Sequence, residues 1–116
     1  EEGGYRVKGK VATERADLIA DAVELERLGA FAVVLELVVA SVAKEITESV
    51  GIPTIGIGSG ADCDGQILVT NDLVGTFPWF TPRFVKPRLD AFDQMRLAIG
   101  VWREEVEGSG SQAPSR

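Results

Sequence analysis

Eleven residues, AFAVVLELVVA from Ala30 to Ala40, constrain this chain more than any other stretch. Ten of the eleven are apolar, and Val33, Val34, Val38 and Val39 are β-branched. A short apolar run of this kind reads as a strand buried on both faces, as in parallel sheets covered by helices. The exception is Glu36. Taking an ionised carboxylate out of water is costly, so this glutamate should sit at an end that meets solvent, be paired, or do chemistry.

The flanking sequence supports a strand placed between helices. From Ala12 to Leu28, apolar residues recur at Leu18, Ala22 and Leu25 and at Ile19 and Val23, which is helical spacing. Thr13 is the expected N-cap, Glu14 and Asp17 favour the helix start, and Gly29 supplies the stop. The strand itself is expected from Phe31 to Glu36. A second helix follows from Ser41 to Val50, with Val42, Ala43, Ile46 and Val50 on one face. IPTIGIG, Ile52 to Gly58, reads as a short strand opened by Pro53. The stretch SGADCDGQ reads as a loop, and ILVTNDLVG fits either a strand or a helix.

Farther on, Thr76 to Pro87 holds three prolines and reads as irregular, with Arg83 to Lys86 as the core of another short strand. Asp90 should cap a last helix, with Asp93 three residues on in the manner of a capping box. Phe92, Met95, Ile99, Trp102 and Val106 repeat along it, and Gly108 ends it. Glu1 to Val11 reads as a loop and residues 109–116 as a flexible tail. Residues 1–108 therefore read as one domain in which helices alternate with strands, the pattern of a parallel sheet with crossovers. No internal repeat is evident.

Composition narrows the chemistry. The chain of 116 residues is 45% apolar and 26% charged, as in a soluble globular protein. No run approaches the ~20 apolar residues of a membrane span. No basic N-terminal segment precedes an apolar core, so a cytoplasmic setting is expected. A net charge of −6 without a Lys/Arg cluster argues against nucleic acid as a partner. There is one cysteine, Cys63, and no histidine, which excludes an internal disulfide and a multi-cysteine zinc site. Proton transfer near neutrality thus falls to a carboxylate, Cys63, a lysine or Tyr5.

Glu36 is the leading candidate. It stands near the carboxyl end of its strand, where ligands bind in parallel α/β folds. Flanked by Leu35 and Leu37, it would be partly desolvated there, as a general base for a weak carbon acid requires. The competing reading is a strand-end glutamate facing water. Gly58, Ser59 and Gly60 form a glycine-rich loop after a strand, where backbone N–H groups can approach an anionic substrate group. The loop has no Walker lysine, and a tight turn is the alternative. Asp62 and Asp64 are spaced as in calcium loops, but the glutamate that closes such a loop is missing, and a hydrogen-bonded turn is expected. Cys63 has no histidine to activate it. Trp79, Phe80 and Phe84, with Arg83 and Lys86, are read as packing of the proline-rich segment rather than as base stacking.

GGYRVKGK (Gly3 to Lys10), GAFAVVLELV (Gly29 to Val38), IPTIGIGSG (Ile52 to Gly60) and DCDGQILV (Asp62 to Val69) occur in the order seen in the ketopantoate hydroxymethyltransferase family. NDLVG (Asn71 to Gly75) and RFVK (Arg83 to Lys86) also fit. Jointly these motifs make the chain resemble the C-terminal half of that enzyme over residues 3 to 107. The resemblance implies half of a (β/α)8 TIM barrel of the phosphoenolpyruvate mutase and isocitrate lyase type, with parallel strands and covering helices. It further implies transfer of a hydroxymethyl group from 5,10-methylenetetrahydrofolate to 3-methyl-2-oxobutanoate, giving ketopantoate for pantothenate and coenzyme A synthesis.

In the family a magnesium ion binds the keto acid, and a glutamate in a VLE motif takes the proton beside its carbonyl. Glu36 is the matching residue. The magnesium carboxylates belong to the family's N-terminal half, so no metal ligand is expected in this chain. Two positions depart from the family pattern: Val39 stands where a proline usually follows VLE, and Asn71 stands where histidine is frequent. A complete barrel needs roughly 200 residues or more. Three or four parallel strands with helices on one side are therefore expected, and the open edges call for an N-terminal half-barrel or a homo-oligomer as partner. A non-catalytic half-barrel is the alternative to an enzyme.

Overall fold

The computed structural model describes residues 6–108. Tyr5 and the tail at 109–116 lie outside the described residues. The chain divides into two compact units, with the boundary in sequence between Leu68 and Val69.

The first unit begins with α1 (Ala12–Arg27), β1 (Val33–Glu36), α2 (Ala40–Ser49), β2 (Thr54–Ile57) and β3 (Gly65–Gln66). The strands form one parallel sheet in the order β1-β2-β3, with Val33 beside Thr54 and Glu36 beside Ile57. The expected α/β alternation with parallel pairing is present. An isolated parallel bridge joins Lys8 to Val38, in a segment that the sequence had suggested was only a loop.

Helix α1 ends as its sequence dictates. Gly29 has φ 96, its N–H bonds to Glu26 O, and the Ala30 N–H reaches back to Leu25 O. This paired bonding is the Schellman motif, which uses a left-handed residue to satisfy the last carbonyls. The start differs from expectation: Val11, not Thr13, is the N-cap and makes no side-chain cap. Glu14 instead turns back to accept from the Gly9 N–H, so the acidic side chain of the first turn serves the preceding loop.

The core is small. Ala22 of α1, Leu35 of β1, Val38, and Val42, Ala43 and Ile46 of α2 form one buried cluster. Alternation along β1 puts Leu35 toward the helices and turns Val34, 54% exposed, with Glu36 to the opposite face. Both helices of this unit therefore cover the same face of β1. The strand is shorter than the apolar run because the ladder starts only where the Val33 N–H meets Pro53 O. Phe31 lies before that point, 89% exposed.

Across α1 and α2, Arg15 Nε donates to Glu45 Oε2 at 2.5 Å and Nη2 donates to Oε1. The hydrogen bond from Arg15 holds the Glu45 carboxyl below the usual carboxylate range, and Arg27 does the same to Glu24. A value lower in the folded than in the unfolded chain means stabilisation that is full above the ordinary carboxylate pKa of about 4.3 and lost as pH falls through the folded value. Exposure keeps the effect small. Glu45→Gln should therefore lower the melting temperature slightly at neutral pH and much less in acid. Equal shifts at pH 7 and pH 3 would show that the pair contributes nothing that titrates.

The second unit holds α3 (Thr70–Val74) and α4 (Ala91–Gly108). Asp90 caps α4 as expected, its Oδ1 accepting from the Asp93 N–H at 3.2 Å. The segment Arg83–Lys86, expected as a strand, is instead a turn in which the Val85 N–H bonds to Pro82 O. Pro82 and Pro87 remove the donors that a ladder at this point would need. The periodic residues of α4 are in place, but Met95, Ile99, Trp102 and Val106 are at least half exposed.

Candidate active site at the carboxyl ends of the strands

Glu36 is the last residue of β1 and lies in register with Ile57, the last of β2. The glycine loop Gly58–Gly60 leaves from that same end of the sheet. The structure thus brings together two of the expected features, the carboxylate and the loop. Glu36 is exposed, so the partial desolvation expected of it is not supplied within this chain. The reason is geometric: its side chain points to the face of β1 that carries no helix of this unit.

The backbone after Glu36 is unusual. Leu37 has φ 53, the sole non-glycine residue with positive φ among those described. A left-handed conformation costs a residue with a Cβ roughly 1–2 kcal/mol, so neighbours must hold it. They do so from two sides. The Leu37 N–H donates to Ile57 O at 2.9 Å, while the Val39 N–H donates to Lys8 O at 2.7 Å. The Ser59 hydroxyl donates to Leu35 O at 2.7 Å and accepts from the Val38 N–H at 3.0 Å. Ser59 is 1% exposed. Its hydroxyl is therefore committed to the β1 backbone, and any anion approaching this loop would meet the peptide groups rather than that side chain.

Gly60 explains why the loop carries glycine. Its φ is 81, and a Cβ built there would stand 2.5 Å from the Ala40 Cβ at the start of α2. Gln66 Nε2 donates to Gly60 O at 2.9 Å, tying the loop to β3.

Asp64 is part of a network at the opposite, amino end of the sheet. Its Oδ2 accepts from the Thr54 N–H at 2.8 Å, and its own N–H donates to Thr54 Oγ1 at 3.1 Å. Thr54, fully buried, also shares a hydrogen bond of 2.8 Å with Thr47 Oγ1. Asp62 is exposed and Cys63 is half-buried against the core. Among the described residues no three Asp, Glu, His or Cys side chains converge on a point where they could hold a metal ion. In place of the expected hydrogen-bonded turn, residues 61–64 run through bends, the hydrogen bonds of Asp64 go to Thr54, and Gly65 and Gln66 pair as β3. Sequence reasoning missed the Leu37 conformation, the Lys8 bridge and the buried Thr54. Only Thr54, a polar residue opening an apolar strand, offered any signal.

The family model described as ketopantoate hydroxymethyltransferase matches residues 1–111. A 3-methyl-2-oxobutanoate hydroxymethyltransferase of Thermotoga sp. (strain RQ2) is 57% identical over 105 residues, covering 90% of this chain and 39% of the relative. Proteins of the same name from Aliarcobacter butzleri and Cenarchaeum symbiosum are each 46% identical, covering 91% and 97% of this chain and 39% and 43% of their own lengths. The chain thus spans about two-fifths of the length of these curated relatives.

Proposed function

We infer the function from one premise: the chain belongs to the ketopantoate hydroxymethyltransferase family. On that footing it forms the C-terminal half of a (β/α)8 barrel and supplies Glu36 as the general base. The base takes a proton from carbon 3 of 3-methyl-2-oxobutanoate, the resulting enolate forms a carbon–carbon bond to the methylene unit of 5,10-methylenetetrahydrofolate, and water supplies the hydroxyl as tetrahydrofolate leaves, yielding ketopantoate for pantothenate synthesis. The observation that carries this reading is the placement of Glu36. It closes β1 at the carboxyl end of a parallel sheet, faces away from the helices of its unit, and is followed by a backbone held in a left-handed turn.

Charge developing on the enolate oxygen needs a stabilising group, and the family's magnesium would supply it as a Lewis acid. On the family reading the ligands for that ion belong to the N-terminal half; among the described residues no group of three or more potential ligands converges. Gly58 and Gly60 contribute open backbone beside the keto acid, and the loop's role is to border it.

The partner is the N-terminal half-barrel, which would pair with the open edge of β1 and cover the face that carries Glu36. Self-association into a homo-oligomer is the other arrangement that hides such edges. The proposed setting is the cytoplasm. No helix among the described residues is long and apolar enough to cross a membrane.

Complementation tests the reading. The chain alone should form no ketopantoate and bind magnesium weakly. A single polypeptide in which it follows the N-terminal portion of a Thermotoga relative should turn over. Turnover by the chain alone, or none by a folded fusion, would overturn the reading.

A further inference from the structure

We infer that Ser59 is a positioning residue for Glu36: its hydroxyl clamps the backbone on both sides of the carboxylate-bearing residue and holds Leu37 in the left-handed turn that aims it. The inference rests on the reading of Glu36 as the base.

The Ser59 Oγ touches Leu35 O at 2.7 Å and the Val38 N at 3.0 Å. These two atoms bracket Glu36 and Leu37, so a single buried hydroxyl spans the turn in which the reacting side chain is mounted. Leu37 at φ 53 is a conformation that leucine leaves readily unless its surroundings over-determine it. Three contacts fix it: the Ile57 carbonyl, the Lys8 bridge and Ser59. Of these only Ser59 acts through a side chain, and that one hydroxyl bonds the chain both before and after Glu36. Without the hydroxyl, the Val38 N–H is buried with no acceptor, since Val38 is 4% exposed. Relaxing Leu37 toward negative φ would regain water for that group and rotate the peptide joining residues 36 and 37. The Glu36 side chain would then start from a different direction. A base must lie within hydrogen-bond reach of the proton it removes, so a change of direction lowers the rate without touching the substrate's own contacts.

The test uses the full-length polypeptide and follows deuterium uptake at carbon 3 of 3-methyl-2-oxobutanoate by proton NMR, with no folate present. Ser59→Ala should lower kcat for exchange roughly 10- to 100-fold while leaving KM for the keto acid nearly unchanged. Thr47→Val, which breaks the buried hydroxyl pair at the amino end of the sheet, is the control for lost stability and should keep the wild-type kcat. In the 116-residue chain, the Val38 amide should exchange with solvent faster in Ser59→Ala while the Gly51 amide stays as it was. If Ser59→Ala does not fold, Ser59→Cys gives a graded form of the same loss, because a thiol is a weaker donor and acceptor.

A wild-type kcat in Ser59→Ala, equal losses in Ser59→Ala and Thr47→Val, or a rise in KM in place of a fall in kcat would each overturn the inference. Glu36→Gln separates the two levels. If it abolishes exchange while Ser59→Ala does not slow it, only the clamp fails. If it exchanges at the wild-type rate, the base assignment fails first.

Discussion

Glu36→Gln in a full-length polypeptide should slow proton exchange at carbon 3 of 3-methyl-2-oxobutanoate by about a hundred- to ten-thousand-fold, the usual contribution of a positioned base. The amide keeps the shape of the side chain but accepts no proton near neutrality. Within these 116 residues there is no histidine to take over. Asp64, the other carboxylate of interest, is bound to Thr54 at the far end of the sheet. Binding of the keto acid should survive the substitution, because Glu36 acts on the carbon acid and the metal would hold the carbonyl. Calorimetric titration with the keto acid separates the two effects. A variant that binds and exchanges normally would return Glu36 to the status of a solvent-facing strand end.

The largest expected loss of stability comes from Ile46→Ala. Ile46 is 1% exposed and packs among Ala22, Leu35, Val38, Val42 and Ala43. Truncating such a residue typically costs about 2–5 kcal/mol, through lost burial and the cavity left behind. The native state of an ordinary domain is worth only about 5–15 kcal/mol, so most of the margin of so small a core would go. Urea unfolding followed by circular dichroism should show a lower midpoint with a similar slope. A shift worth less than about 1 kcal/mol would mean that the core collapses around the cavity and that the helices are held mainly by other contacts.

The parts of this structure that announce themselves in the sequence are those where burial and periodicity act together. Val33 to Leu35 read as strand because a β-branched apolar run has few other uses, and Gly29 reads as a helix stop because it reaches φ 96 without strain. Glu36 was visible for the opposite reason: it contradicts its surroundings. Strand β3 was not visible. Gly65 and Gln66 carry no apolar signature, and they pair with Ile55 and Gly56 only because the loop returns them to the amino end. The turn at Arg83–Lys86 was misread because Phe84 and Val85 favour strands, whereas the flanking prolines decided the outcome. Leu37 had no signal at all. Leucine is a poor choice for a left-handed turn, and the contacts around it come from Lys8, Ile57 and Ser59, all distant in the chain.

The segment from Ser59 to Asp64 connects two parallel strands without a helix, and it is fastened at each extremity. Ser59 bonds β1 at the carboxyl end, and Asp64 bonds Thr54 at the amino end. It runs the length of β2 between those two fastenings, so its course is fixed at both ends. A segment under that constraint behaves as a rivet and not as a lid. Under the proposed function, closure over a bound keto acid would fall to segments other than this one, as would the loop-length variation by which barrel enzymes diversify their substrates.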